Sequence, residues 1–323
     1  MTMQKKPFKN TSPIDVSRLV LPTSFPKLPD RWQAQGRLIS AKTTGQNLFQ
    51  SIYAPKDSEF KKGLWVIHGF QEHLGRYFHF PHYLKESFDY IVGIDHQGHG
   101  RSGGTRGHIE KFDFYAEDQA QVLTQTMDEL NHAGISTEIH GLGHSMGGLV
   151  LLRLLTLFPH LGFRRVTLSG PALGIKAKVP LWKKSLGMIL NTVWGSFQVP
   201  FQVEADHLSH DPKVRTAVLN DQLMNQIASA RFYQSFVDTI ESTQRDLLTT
   251  QTPIQVMIAL EDEIVDIEAI DHFFSHAKVK ELRVLHYKGM YHEVFNEINK
   301  ERAFQDLIQW TSQHSSHSFD KSV

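Results

Sequence analysis

The chain has 323 residues, 40% hydrophobic and 21% charged, with 34 Lys and Arg against 34 Asp and Glu. That apolar content supports a sizeable core and excludes disorder as the general state, and a formal net charge of zero gives no electrostatic case for nucleic acid as a partner. The sequence has no cysteine, so disulfides, thiolate metal sites, iron–sulfur clusters and cysteine nucleophiles are excluded.

At the N-terminus, MTMQKKPFKNTSP carries Lys5 and Lys6, but no apolar run follows them. A secretory signal is not expected, which points to the cytoplasm. Residues 1–35 read as an extension. The segment RLISAKTTGQNLFQSIY, at 37–53, has two partly alternating runs around a turn-forming centre and predicts a β-hairpin, so a core begins near residue 36. From Gly63, short apolar runs (LWVIHG, YIVGIDHQG, TEIHGLGHS, RVTLSGPA) end in glycine-containing loops, as strands buried on both faces of a parallel sheet do. Helical patterns fall between them, around Tyr77 to Glu86, Phe112 to Asn131 and Met146 to Phe158.

This rhythm fails over residues 174–246, where helical periodicity continues without a convincing strand. The segment reads as an inserted helical cap dividing the core into 36–173 and 247–312. Within it Leu181, Trp182, Leu186, Ile189, Leu190, Val193 and Trp194 recur at helical spacing, beside Lys176, Lys178, Lys183 and Lys184. Basic charge next to Trp and Leu suits peripheral contact with a lipid surface, although packing on the core gives the same periodicity. No stretch is long and apolar enough for a membrane span, the longest candidate being broken by Asn191, Thr192, Ser196, Gln198 and Gln202. Beyond the cap come the strand PIQVMIALED, a helix from Asp266 to His276, the strand ELRVLHYKG and a helix near Lys300 to Trp310, with a frayed tail at 313–323. The fold class is α/β: a doubly wound, mostly parallel sheet with an inserted helical cap.

Gly143-His144-Ser145-Met146-Gly147 follows one apolar strand and opens an apolar-rich helix. That is the setting of a nucleophile elbow, in which the serine sits on a sharp strained turn and its glycine neighbours let strand and helix approach. A serine hydroxyl needs a base and a carboxylate to orient that base. In the order serine, acid, histidine, the loops after the last two strands supply Asp262 as acid and His292 as base. Asp266 is the rival acid but stands where a helix should start, and His286 is the rival base but lies inside a strand. The oxyanion needs two backbone donors: Met146, following the nucleophile, and Phe70 in the loop His68-Gly69-Phe70. The run Asp95-His96-Gln97-Gly98-His99-Gly100-Arg101-Ser102 suggests a metal site at first sight, but its glycines favour a tight hydrogen-bonded turn. Neither a metal nor a cofactor is expected.

The motifs HGFQEHLGRY (68–77), DHQGHGRSGG (95–104), GLGHSMGG (141–148), ALEDEIVD (259–266) and YKGMYHEVFNE (287–297) together resemble the monoacylglycerol lipase and lysophospholipase group of α/β-hydrolases. The likeness runs in order from about residue 36 to 310, and LSHDPKVRTAVLNDQL at 208–223 is similar to a cap segment of that group. The resemblance implies a triad of Ser145, Asp262 and His292, an oxyanion hole from Phe70 and Met146, and a cap lining an acyl tunnel. A small-molecule lipid ester is the implied substrate. Phe70 is bulkier than the residue often found there, and Gln222 replaces a proline often seen after the cap aspartate. The rival expectations are a short-chain esterase or thioesterase with the same triad, and a non-catalytic ligand-binding protein that keeps the fold. Ser145 argues against the dehalogenase and epoxide hydrolase chemistries, which need aspartate at the elbow.

Overall fold

The unbroken apolar runs become the centre of a nine-stranded sheet in a computed structural model that describes residues 7–8, 10–15, 19–176, 194–201 and 203–313. Its strands are β1 (Ser12–Pro13), β2 (Trp32–Ser40), β3 (Asn47–Pro55), β4 (Lys62–Ile67), β5 (Tyr90–Ile94), β6 (Glu138–His144), β7 (Val166–Ser169), β8 (Ile254–Ala259) and β9 (Leu282–Tyr287). They lie in the spatial order β1-β2-β3-β5-β4-β6-β7-β8-β9. The first four in that order pair antiparallel, and from β5 onward every pairing is parallel. The expected hairpin is the β2–β3 pair, with Ser40 opposite Asn47. The sheet extends ahead of the boundary expected at residue 36, because β2 starts at Trp32 and Ser12–Pro13 pairs with its outer edge.

Helices cover both faces, so β5 and β8 are buried at every residue. The helices are α1 (Phe80–Leu84), α2 (Asp113–His132), α3 (Met146–Leu157), α4 (Pro212–Asn220), α5 (Ala230–Asp246), α6 (Ile267–His276) and α7 (Lys300–Ser312). Indole groups in this core find polar partners, as buried Trp requires: Trp65 Nε1 donates to Gln119 Oε1 (2.7 Å) and Trp310 Nε1 to the Val166 carbonyl (3.1 Å). The edge strand β9 is only partly covered, and its apolar run is half-exposed.

Two expectations need correction. The helix expected around Tyr77 to Glu86 is a 3-10 turn, Leu74–Tyr77, followed by the short α1, whose first turn contains Pro81. Proline has no N–H to donate to a preceding turn, so it starts a helix and does not continue one. The region between Leu173 and Asp246, expected to lack strands, contains an antiparallel ribbon in which Gln198–Pro200 pairs with Ile227–Ser229. The apolar stripe expected over Leu181 to Trp194 lies outside the described residues except for Trp194, which is exposed. Among the described residues, no helix is long and apolar enough to cross a membrane.

Candidate active site

Parallel strands bring their carboxyl ends to one edge of the sheet, where ligands of open α/β sheets bind. The loops after β4, β6, β8 and β9 therefore meet, carrying His68 to Phe70, Ser145, Asp262 and His292. Ser145 stands between β6 and α3 with φ +53° and ψ −119°, a conformation costly for a residue with a side chain. The surrounding backbone holds it there: its N–H donates to the Ser169 carbonyl (2.9 Å), and its carbonyl accepts from Gly148 and Ala172 (2.9 and 3.0 Å). A Cβ at Gly143 would collide with the Gly147 carbonyl, and one at Gly147 with the carbonyls of Ile67 and His68. Both flanking glycines are thus fixed by close backbone approach.

Asp262 and His292 are brought together and buried, His292 Nδ1 lying 2.6 Å from Asp262 Oδ2. The other carboxylate oxygen accepts from the amides of Ile264 (2.8 Å) and Val265 (3.0 Å). Burial disfavours the Asp262 carboxylate, but the His292 charge and hydrogen bond and these two amides outweigh it and hold its pKa below the ordinary value. For His292, burial disfavours the imidazolium, yet Asp262, with Glu293 and Glu72 behind it, lifts the pKa above the ordinary histidine value. The rival residues are engaged elsewhere. Asp266 caps α6, accepting from the Ala269 N–H at 3.2 Å, and His286 sits on β9 against Asp271 at 3.1 Å.

A cavity of about 340 Å³ opens over this constellation, lined by Gly69, Phe70, Ser145, Met146 and His292. Its remaining wall is largely apolar, with Phe201, Val218, Met224 and Phe236 among the contributors. Met146 begins α3, where helix geometry leaves backbone N–H groups without intrahelical partners. The Asp95 turn is hydrogen-bonded within the protein: Asp95 accepts from the amides of Leu74 and Arg101, both at 2.8 Å. Among the described residues no cluster of His, Asp and Glu is arranged to hold a metal ion.

Sequence reasoning missed a buried ionic group on the cavity wall. Arg76 donates through one nitrogen to Glu72 Oε2 (3.1 Å) and Glu293 Oε1 (2.6 Å), and through the other to Glu293 Oε2 (2.8 Å). The Glu72 and Arg76 spacing of four was a readable signal, whereas the partner Glu293 is distant in sequence. His144 was also passed over; its ring lies 4.7 Å from that of His292, and burial, with the His292 charge, lowers its pKa.

The model of the family described as serine aminopeptidase, S33, matches residues 58–299. The chain belongs to that family. Among its relatives, a phospholipase, YtpA of Bacillus subtilis, is 29% identical over 256 residues, covering 77% of this chain and 94% of that protein. A monoacylglycerol lipase of Mycolicibacterium smegmatis is 24% identical over 271 residues, covering 84% and 94%. In three dimensions the chain is similar to a soluble variant of the monoglyceride lipase of Saccharomyces cerevisiae in complex with a substrate analogue. The TM-score is 0.74 at 18% identity, over 90% of this chain and 97% of that one. This S33 chain is a carboxylic ester hydrolase of the α/β-hydrolase fold, within the monoacylglycerol lipase and lysophospholipase group whose motifs it carries.

Proposed function

We propose that the chain cleaves the ester of a single-chain lipid, a monoacylglycerol or a lysophospholipid, through an acyl-enzyme on Ser145. The observation that carries this reading is a buried Asp262–His292 pair whose histidine shares an apolar-walled cavity with a serine held at positive φ. Relatives named as lipases and a phospholipase support the lipid class.

In the proposed reaction Ser145 Oγ attacks the ester carbonyl and His292 Nε2 takes its proton, while Nδ1–H stays bonded to Asp262. The N–H groups of Phe70 and Met146 hold the negative oxygen of the tetrahedral intermediate. Collapse expels the alcohol, which takes the proton from His292. Water then attacks the acyl carbonyl as His292 accepts its proton, and the fatty acid leaves as Ser145 recovers its hydrogen. The cap and core walls accept the acyl chain, and contact with a lipid surface through the cap would deliver it.

The test is fatty acid release from monooleoylglycerol and lysophosphatidylcholine, with native protein and Ser145→Ala side by side. The variant should lose about 10⁴-fold or more in kcat, because a triad acts as a unit. Retained turnover would remove Ser145 from the mechanism. Cleavage of short esters without either lipid would leave the triad and reassign the substrate to the short-chain class.

A further inference from the structure

The turn after β5, Asp95 to Ser102, has no part in the proposed chemistry, yet it packs against the loop that carries Phe70. His68 Nε2 lies 2.9 Å from the backbone nitrogen of His96. A backbone N–H can only donate, so Nε2 must accept, and the ring proton of neutral His68 sits on Nδ1. From there it donates to the Gly69 carbonyl at 2.8 Å. In return, His96 Nε2 donates to the His68 carbonyl at 3.1 Å, and the Gly69 N–H is taken by Glu72 Oε1 at 2.5 Å. The polar backbone groups just before the Phe70 amide are thus all bonded. In a planar trans peptide, N–H points opposite to C=O, so a Gly69 carbonyl turned to the His68 ring sends the Phe70 N–H the other way. Among the described residues no protein group takes that N–H.

We infer that His68 is a positioning residue for the oxyanion hole: its Nδ1–H, held in that tautomer by the His96 amide, aims the Phe70 N–H at the reacting oxygen. The inference rests on the ester-hydrolase reading above. It also gives the Asp95 turn a purpose, since Asp95 joins the amides of Leu74 and Arg101 and so fixes the turn against the loop it serves. Charge on His68 would spoil the arrangement by placing a second donor against the His96 N–H. Burial, with the nearby His96 and His99, keeps the His68 pKa well below the ordinary value, and burial lowers that of His96 to about 3.

The test compares native protein with Ser145→Ala, His68→Ala, His68→Asn and His68→Gln on the ester the native protein cleaves best. The amide nitrogen of Asn reaches the place of Nδ1, whereas that of Gln reaches the place of Nε2. His68→Ala should lose roughly 10- to 100-fold in kcat, less than the 10²–10³ of an absent oxyanion donor, with KM nearly unchanged. Affinity for a trifluoromethyl ketone, which forms a tetrahedral oxyanion on serine, should fall by the same factor, while a non-hydrolysable ether analogue binds as before. His68→Asn should recover most of the rate, and His68→Gln should not. If His68→Ala fails to fold, the Asn and Gln pair, close to native volume, carries the comparison. Equal rates for Asn and Gln, or an unchanged affinity for the ketone, overturn the positioning role. If Ser145→Ala keeps turnover, the hydrolase reading falls and the role with it. A dead Ser145→Ala beside fully active His68 variants defeats the positioning role alone.

Discussion

At the scale of single residues, the opposing forces on His292 yield a pH signature. Burial works against its imidazolium, and the Asp262 carboxylate is the chief force that reverses the direction. A base must be neutral to act, so kcat/KM should rise with pH through a value above the ordinary histidine pKa. Asp262→Asn removes the largest raising influence and leaves burial acting, so the acidic limb should move to lower pH. In the same variant kcat should fall by about 10³–10⁴-fold, because an asparagine no longer enforces the Nδ1–H tautomer. A limb that stays in place or moves upward would show that Asp262 does not govern His292. The loops carrying Ser145, Asp262 and His292 were legible because the strand pattern already dictates where they fall. Glu293 and the His68–His96 contact were not, since they join loops far apart in sequence and no local periodicity records which loops touch.

At the scale of elements, the segment expected to form a cap is only partly encoded by periodicity. Its ribbon consists of two three-residue strands separated by a long stretch, too short for alternation to register. The contacts tying α4 to the core are polar and specific. His73 Nε2 lies 2.8 Å from Asp221 Oδ2, and both side chains are buried. Ser24 donates to Asp211 at 2.7 Å, Asn225 to the Gly98 carbonyl at 2.7 Å, and His210 Nδ1 lies 2.9 Å from Glu297. His73 Nδ1 accepts from the Gly75 N–H, so Nε2 donates to Asp221, and Asp221→Ala leaves that buried donor unsatisfied at a cost of about 1–3 kcal/mol. Urea denaturation should show that drop in stability, and limited proteolysis should cut first within α4 (Pro212–Asn220). Unchanged stability would mean that apolar packing alone seats this part of the cap.

At the scale of the whole molecule, a formal net charge of zero provides no general attraction or repulsion for a charged substrate, so selectivity between head groups must arise at the cavity. Glu72, Arg76 and Glu293 sit on its wall, two carboxylates to one guanidinium. Arg76 is already committed to both carboxylates, so it offers a phosphate no ready fork of donors. Farther out, Glu204 and Glu263 are exposed on the same lining. A neutral glycerol head can hydrogen-bond to carboxylates, whereas an anionic head meets like charge in a partly desolvated wall. Monooleoylglycerol should therefore exceed lysophosphatidate in kcat/KM by roughly tenfold at low ionic strength, corresponding to about 1.4 kcal/mol. The exposed glutamates are screened by salt and the buried cluster is not, so the ratio should shrink in high salt without reaching unity. Glu293→Gln separates the two contributions, because it removes a buried charge and leaves the rim intact, and it should narrow the low-salt ratio by a margin that salt does not abolish. Lysophosphatidate cleaved as fast as monooleoylglycerol at low salt would mean that the head group lies away from the Glu72–Arg76–Glu293 wall.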